Sequence, residues 1–159
     1  MRIRLATAAD ASAISALVIE SARRFVFPDQ SPAAVERLLD WMGPQASGAR
    51  IQAGHRHHVA EIDQAVVGVV GTRDDCHMHL LFVDERFQRR AIARQLWLVA
   101  LAACCASANP PAQISVNSSL YAVPVYRRLG FVEVGAAVHK DDVVAVPMVF
   151  NVPSDPSAR

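Results

Sequence analysis

Three short apolar segments follow one another between residues 57 and 83, and they constrain the fold more than any other feature. Turns at Asp63-Gln64 and between Arg73 and Asp75 separate these segments. Apolar segments of this length, joined by tight turns, favour neighbouring antiparallel strands. The sequence therefore predicts an antiparallel meander. Its strands are expected at His57–Ile62, Ala65–Thr72 and Cys76–Val83.

Helix signals lie on both sides of the meander. A capping box at Thr7 to Asp10 precedes an apolar stripe, and Ser31-Pro32 is an N-cap followed by proline at the first helical position. Gly43-Pro44 is expected to end the second helix and to begin a loop. The other predicted elements are strands Arg2–Leu5 and Gln113–Asn117, helices Ala91–Ala108 and Val125–Leu129, and a closing hairpin of Phe131–His139 and Val143–Phe150.

This order of elements predicts an α/β (α+β) fold with a mostly antiparallel twisted sheet and about four helices. The helix Ala91–Ala108 connects two predicted strands. A crossover helix of this kind makes the two strands parallel. One parallel pair is therefore expected within an otherwise antiparallel sheet.

Composition limits the class of protein. The 159 residues, 52% of them hydrophobic, fit one domain, expected at residues 1–152 and followed by a disordered tail at 153–159. A formal net charge of +1 argues against non-specific binding to nucleic acid or to an anionic membrane. The N-terminal residues lack a signal-peptide core, and the three cysteines imply no disulfide framework. A cytoplasmic location is expected.

The stretch FVDERFQRRAIARQLW, residues 82–97, leads from an apolar strand through a polar turn into a helix. Backbone amides from Gln88 to Ala93, together with the positive end of the helix dipole, predict an anion site. Arg89, Arg90 and Arg94 surround it. A solvated basic turn would account for these arginines as well. The turn contains no glycine, although glycine is usual where phosphate approaches the backbone.

A second stretch, VNSSLYAVPVYRRLGF, carries an asparagine at a strand end and a tyrosine on the next short helix. With this block the chain resembles the GNAT superfamily of acyl-CoA-dependent N-acetyltransferases. The first stretch is similar to the family's coenzyme A loop, Q/R-x-x-G-x-G/A. The second is similar to its A-x-x-x-Y-x-x-x-G-F block, and it matches at Asn117, Ala122, Tyr126, Gly130 and Phe131.

The resemblance implies a GNAT fold in which coenzyme A lies between two splayed strands, 76–83 and 113–117. Backbone groups of residues 81–83 would pair with the pantetheine, and amides of the turn would hold the pyrophosphate. Acetyl-CoA would be the co-substrate, with no metal. The residues implied in cofactor binding are Leu81, Phe82, Val83, Gln88, Arg89, Arg90, Ala91, Ile92, Ala93, Arg94, Asn117 and Tyr126.

The resemblance also implies an N-acetyltransferase in which a primary amine attacks acetyl-CoA directly. An amide near Leu81 would stabilise the developing oxyanion, and Tyr126 would protonate the departing thiolate. Asn117 would help to fix the cofactor. No cysteine is expected to act as nucleophile, and Cys76 is the one to check.

Ala91 occupies the family's first glycine position. If this residue had a positive φ, alanine would cost roughly 1–2 kcal/mol. If it lay in the helix with φ near about −60°, alanine would add only a methyl group near the phosphate. Because the residues from Ala91 onward read as helical, the second conformation is expected.

His77 is the predicted general base, because it precedes Ala91 by fourteen residues, a position similar to that of the catalytic glutamate in several GNAT members. His79 lies on the same strand, and both histidines could instead merely line the cleft. Glu61 is a weaker candidate. A zinc site is not expected, because no compact ligand spacing is found among His55, His57, His58, Cys76 and His77.

The alternative function is a non-catalytic acyl-CoA-binding sensor or interaction module of the same fold. The absence of glycine at Ala91 favours this alternative, and Tyr126 with Asn117 counts against it. The amine acceptor stays open between small metabolites, peptides and protein lysines. A homodimer through the closing hairpin is a further expectation.

Overall fold

The computed structural model describes residues 1–154; residues 155–159 of the predicted disordered tail lie outside the described residues. Within residues 1–154 the chain forms five α-helices and eight strands. The helices are α1 (Ala11–Phe25), α2 (Pro32–Met42), α3 (Pro44–Gln52), α4 (Ile92–Cys105) and α5 (Val123–Arg128). The strands are β1 (Arg2–Leu5), β2 (Arg56–Ile62), β3 (Ala65–Arg73), β4 (His77–Val83), β5 (Gln113–Ser118), β6 (Val132–Glu133), β7 (Val138–Lys140) and β8 (Val143–Asn151).

The strands form a mixed sheet in the order β1-β2-β3-β4-β5-β8-β6, and β7 also pairs with β8. The meander β2-β3-β4 is antiparallel, as predicted. Helix α4 connects β4 to β5, and these two neighbours are parallel, whereas the other pairs in the described residues are antiparallel. The predicted fold class is therefore confirmed.

Pairs of residues with positive φ make the tight turns. Asp63 and Gln64 join β2 to β3 with φ of 49° and 65°, and the predicted turn at Asp141-Asp142 has φ of 50° and 66°. Two successive left-handed residues give a turn whose twist matches that of the flanking strands. Asp and Gln at these positions thus fix the register of the meander and of the closing strands.

Helices cover both faces of the sheet. Leu96 and Trp97 of α4 pack with Met78 in one buried cluster, and Ile14 and Val18 of α1 pack with the opposite face in another. Gly68 lets α4 lie close to β3, because a Cβ there would stand 2.9 Å from Leu96 Cδ1. The close approach of α4 fixes where its N-terminus meets the sheet.

Helix α3 occupies a segment that the sequence predicted as loop. Gly43-Pro44 ends α2, but Pro44 also starts α3 at a position where proline costs no hydrogen bond. Few apolar residues follow, so the periodic signal is weak. Helix α3 packs against α1 through buried Ser47, which places Arg50 beside the sheet.

The predicted strand Phe131–His139 is split into β6 and β7, and both pair with β8. The intervening residues 134–137 contain Gly135 and two alanines, which have low strand propensity. Within residues 1–154 no helix is both long enough and apolar enough to cross a membrane.

Candidate active site

The parallel pair β4–β5 opens into a gap. Pairing covers only His77 with Ser115 and Met78 with Val116. A register shift in the β3–β4 ladder beside Gly71 marks a bulge in β4 directly after this stretch. Because a bulge bends its strand and interrupts pairing, β4 and β5 separate at this point. The gap lies where the resemblance to GNAT enzymes implies coenzyme A.

The strand edge that faces the gap is formed by residues 81–83. The Asp84 N–H donates to the Val67 carbonyl of β3 at 2.9 Å. Because the backbone groups of successive residues in a strand point to opposite sides, those of Phe82 also point towards β3. The backbone groups of Leu81 and Val83 then point away from β3, towards the gap. The Val83 carbonyl accepts from the Gln88 side chain, and the Leu81 N–H, the Leu81 carbonyl and the Val83 N–H are left to pair with an extended ligand.

The turn after β4 ends at the N-terminus of α4. The Gln88 side chain donates to the Val83 carbonyl at 3.2 Å and ties the turn to the strand. Helix α4 begins at Ile92, and its N-cap residue Ala91 provides no side-chain hydrogen bond. Since the first amides of a helix have no partner within the helix, they are available here for an anion.

Ala91 does not have the expected helical conformation. Its φ is 59° and its ψ is 13°, and Arg89 has a φ of 63°. The expectation that Ala91 lies in the first turn of the helix with negative φ is therefore wrong. The chain turns from β4 into α4 through these two left-handed residues, and periodicity cannot locate such a residue one position before a helix. Alanine in this conformation costs roughly 1–2 kcal/mol.

Three arginines give the turn a positive charge. Arg89, Arg90 and Arg94 are exposed, and none of them forms an ion pair within residues 1–154. The Arg90 guanidinium lies 5.3 Å from the centre of the Phe87 ring. Their charge adds to the positive end of the α4 dipole.

Asn117 lies on β5, and Tyr126 lies on α5, the helix that follows β5. Tyr126 is 6% exposed, and its ring packs at 5.4 Å against Phe131. Burial raises the pKa of the Tyr126 hydroxyl well above its ordinary value, so this group stays protonated and can donate a proton. Asn117 is exposed and follows Val116, the last residue of β5 that pairs with β4.

His77 lies at the closed end of the gap, where β4 and β5 are still paired, and its ring contacts Ser115. Its Nδ1 is 2.8 Å from Ser115 Oγ, and Ser115 Oγ donates to the Cys76 carbonyl at 3.4 Å. In the tautomer that carries its proton on Nδ1, His77 donates to Ser115 Oγ and the lone pair of Nε2 is free. Burial, followed by the charges of Arg73 and Lys140, lowers the pKa of His77, while Asp74 opposes the shift. His77 is thus neutral at pH 7.

His57 and His79 form a buried pair beside His77. Their Nε2 atoms are 3.1 Å apart, and His57 Nδ1 donates to the His55 carbonyl at 3.1 Å. His57 Nε2 then accepts from His79 Nε2–H. Desolvation by burial is the main cause that lowers the pKa of both rings. Gly71 makes room for the pair, since a Cβ there would stand 2.8 Å from both rings.

A cavity of about 200 Å³ lies between α2, α3 and β4. We call it the His77 cavity. Its lining residues are Trp41, Arg50, His55, Arg73, His77 and His79. It places the candidate base on the wall of a space that can hold a small ligand.

Two other candidates are not at the gap. Glu61 on β2 accepts from Arg4 Nη2 at 2.5 Å, and this ion pair at the β1–β2 edge lowers the pKa of Glu61. Cys76 is exposed and precedes the paired end of β4, so it lies away from the gap. Among the described residues no group of three or more His, Cys, Asp or Glu side chains is placed to hold a metal ion.

An aromatic stack connects α1 to the segment between β5 and α5. The rings of Phe25 and Tyr121 lie 4.5 Å apart in stacked geometry. Phe25 ends α1, and Tyr121 precedes α5. Tyr121 thus holds α1 against the β5 side of the molecule.

A family model described as the acetyltransferase (GNAT) domain matches residues 26–152. The chain belongs to the GNAT acetyltransferase family. No curated protein sequence matches it. A GCN5-related N-acetyltransferase from Rhodopseudomonas palustris has a TM-score of 0.76 at 17% identity, with 95% of each chain covered.

Two GNAT-type structures contain coenzyme A. The PaiA N-acetyltransferase from Thermoplasma acidophilum has a TM-score of 0.71 at 13% identity, covering 96% of this chain and 100% of that one. An aminoglycoside 6′-N-acetyltransferase has a TM-score of 0.72 at 13% identity, covering 98% and 99%. At these identities the likeness shows the fold. Family membership makes the protein an acyltransferase.

Sequence reasoning missed part of this GNAT site. Arg50 is not among the residues that the sequence identifies, because its segment is expected to be loop. Pro44, which occupies the first position of α3, is the sequence signal that could have predicted this helix. Within the helix, Ser47 and Arg50 are three residues apart and therefore lie on one face.

Proposed function

We propose that the protein transfers the acetyl group of acetyl-CoA to a primary amine by direct attack. The observation that carries this proposal is the gap between β4 and β5, whose free edge at Leu81 and Val83 leads to the uncapped N-terminus of α4. A free edge can pair with an extended amide-containing ligand, and a helix N-terminus binds phosphate. The coenzyme A complexes of the two enzymes above support the same ligand here.

Each candidate residue has a role that agrees with its surroundings. Acetyl-CoA would supply the thioester carbonyl. The Leu81 amide would donate to the carbonyl oxygen as negative charge develops, and His77 Nε2 would accept the proton of the amine. The Tyr126 hydroxyl, kept protonated by burial, would donate its proton to the departing sulfur. Asn117 would hold the cofactor at the mouth of the gap.

The cofactor-binding turn would act mainly through its backbone. The amides of residues 88–93 would hold the pyrophosphate, and Arg89, Arg90 and Arg94 would add positive charge around it. None of these contacts needs a particular side chain at Ala91. An alanine methyl group is tolerated where the amide itself points at the phosphate.

Thermal unfolding with acetyl-CoA, 3′-dephospho-CoA and desulfo-CoA tests the cofactor. Ligand at about one hundred times its Kd should stabilise the fold by roughly 2.7 kcal/mol, or about 5–10 °C. A panel of amines with acetyl-CoA, assayed by release of the coenzyme A thiol, then tests transfer. No stabilisation at millimolar acetyl-CoA would contradict the proposal.

The second candidate is a non-catalytic acyl-CoA-binding module, which the strained Ala91 favours. Such a module would be stabilised by acetyl-CoA and would release no coenzyme A thiol with any amine. Both candidates therefore predict a thermal shift with acetyl-CoA, but only the enzyme predicts release of the coenzyme A thiol with an amine.

Two further expectations from the sequence belong to this proposal. A homodimer through the closing strands is supported by exposed Val132, Val134 and Val138 on and between β6 and β7. A cytoplasmic location is supported by the free thiols of Cys76, Cys104 and Cys105. Sedimentation equilibrium and fractionation of the source cells test these expectations.

A further inference from the structure

The His77 cavity is lined by cationic and neutral groups. Arg50 and Arg73 carry positive charge, and no carboxylate is among the six lining residues. Two half-buried histidines of the lining, His77 and His79, are neutral at pH 7 because partial burial lowers the pKa of each. Asp74 influences His77 from the adjoining turn. The cavity therefore favours a ligand that brings a negative charge.

Arg50 is the residue best placed to meet that charge. Its guanidinium stacks 4.1 Å from the centre of the Trp41 ring, and Nη2 donates to Ser47 Oγ at 3.3 Å. Within residues 1–154 no carboxylate lies within ion-pair distance of Arg50, and its Nε is buried without a hydrogen-bond partner. A half-buried guanidinium without a counter-ion is costly, and a bound carboxylate offsets this cost through paired hydrogen bonds.

The histidines supply acceptors rather than donors. Since His79 Nε2–H donates to His57, the Nδ1 of His79 carries a lone pair, and this atom is buried without a partner among the described residues. His77 Nε2 carries a second lone pair in the tautomer whose Nδ1–H donates to Ser115 Oγ. Lone pairs of this kind accept hydrogen bonds from an amine N–H.

The charges of the cavity also affect an amine bound there. Arg50 and Arg73 repel an ammonium group more than a neutral amine, so they lower the pKa of the bound amine and favour the form that attacks a carbonyl. A polycationic amine would be repelled in the same way. In an amine that also carries a carboxylate, the carboxylate offsets the repulsion, and the pKa of the amine is still lowered.

We infer that the His77 cavity binds the acceptor and that this acceptor is an amine that also carries a carboxylate, of the size of a free amino acid. The carboxylate pairs with Arg50, and the amine is directed towards His77. This inference rests on the proposed acetyl transfer and names the substrate class of that site.

The test compares acceptors that differ only in the carboxylate. L-Amino acids and β-alanine are assayed beside their carboxamides with acetyl-CoA, using the wild-type protein, Arg50→Gln, Arg50→Lys and the surface control Arg23→Gln. Arg23 is exposed on α1 and is absent from the lining of the cavity. The thermal shift produced by acetyl-CoA is measured on every variant, so that a folding defect is recognised.

The wild-type protein is expected to have a kcat/KM at least about tenfold higher for an amino acid than for its carboxamide. Arg50→Gln should remove this preference by raising KM for the acid, whereas the carboxamide loses only the effect of Arg50 on the pKa of its amine and its kcat/KM falls less. Arg50→Lys should keep part of the preference, and Arg23→Gln should keep all of it. Equal rates for acid and amide in the wild-type protein would overturn the inference. An equal loss for both acceptors in Arg50→Gln would overturn it as well.

A binding measurement separates this inference from the proposed function. Trp41 lies under Arg50 in the cavity, whereas the other tryptophan, Trp97, is buried in the core. Tryptophan fluorescence is therefore titrated with N-acetylglycine and with N-acetylglycinamide. If no amine is acetylated but the acid binds and Arg50→Gln abolishes its binding, acetyl transfer fails and the carboxylate site stands. If acid and amide bind equally, or neither binds, the carboxylate site is wrong.

Discussion

His77 Nδ1 lies 2.8 Å from Ser115 Oγ, across the only stretch where β4 and β5 are paired within the described residues. In the tautomer that carries its proton on Nδ1, His77 donates to Ser115 Oγ, and Ser115 Oγ donates in turn to the Cys76 carbonyl. The lone pair of Nε2 is then available on the wall of the His77 cavity. The short paired stretch thus sets where the gap begins and holds Ser115 against the candidate base.

The pH dependence of turnover tests His77 as the base. Burial is the main cause that lowers its pKa, Arg73 and Lys140 lower it further, and Asp74 raises it. A base must be neutral, so kcat/KM should fall with decreasing pH at values below the ordinary pKa of 6.5. His77→Gln should lower kcat/KM about 10²-fold and remove this limb. An unchanged limb in His77→Gln would exclude the base role.

Tyr126→Phe tests the proton donor. Phenylalanine keeps the ring that packs against Phe131, so the fold and the binding of acetyl-CoA should be retained. Turnover should fall by at least about tenfold, because the departing sulfur loses its proton source. Tyr121→Phe is the matched control: its ring stacks on Phe25, and its turnover should equal that of the wild-type protein. Normal turnover in Tyr126→Phe would remove the assigned role.

Ala91→Gly and Ala93→Gly form a matched pair for the strained turn. Ala91 has a φ of 59°, so glycine relieves about 1–2 kcal/mol of strain and loses about 0.5–1 kcal/mol to the entropy of the unfolded chain. A net stabilisation of about 0.5–1 kcal/mol is expected.

Ala93 lies inside α4, where glycine should destabilise by about 0.5–1 kcal/mol. Denaturant unfolding measures both, and destabilisation of equal size in the two variants would contradict the left-handed conformation of Ala91.

The free energy of unfolding should fall between pH 6.5 and pH 5, the region just below the ordinary histidine pKa of 6.5. His57 and His79 have a lowered pKa in the folded protein, so the unfolded chain binds more protons in this range. Each contributes stability that is present above pH 6.5 and is lost as the pH falls, at up to about 1.4 kcal/mol per pH unit.

The carboxylates affect the free energy of unfolding only at lower pH. The Arg4 hydrogen bond lowers the pKa of Asp10 from 3.8 to about 2, so its contribution is lost only below pH 3.8. Denaturant unfolding at pH 7, 6 and 5 therefore reports on the histidines. A constant free energy of unfolding over this range would contradict the buried neutral pair.

Local patterns were enough to predict the meander and the parallel pair of the sheet. The turn residues of the meander, the capping signals of α1 and α2 and the Gly130 that follows α5 all act within a few residues of their position. The parallel pair followed from the crossover helix alone. These features depend on short-range sterics and hydrogen bonds, which a sequence displays directly.

The features that the sequence did not predict depend on contacts between segments that are distant in the chain. The left-handed Ala91 lies where the chain turns from β4 into α4, one position before the helix begins. Arg50 reaches the His77 cavity only because α3 packs on α1. His57 and His79 were weighed as metal ligands or as cleft residues, and their mutual hydrogen bond depends on strand register and on the space above Gly71. None of these contacts leaves a periodic signal in the sequence.

The most direct test of acetyl transfer follows the acetyl group itself. The protein is mixed with acetyl-CoA labelled in the acetyl carbon and with the amino acid panel, and mass spectrometry measures labelled N-acetyl product, free coenzyme A and labelled protein. Direct transfer predicts N-acetyl amino acid and coenzyme A in equal amounts, with no label on the protein. Bound acetyl-CoA that stays intact in the presence of every amine would contradict the account and leave a coenzyme A-binding module.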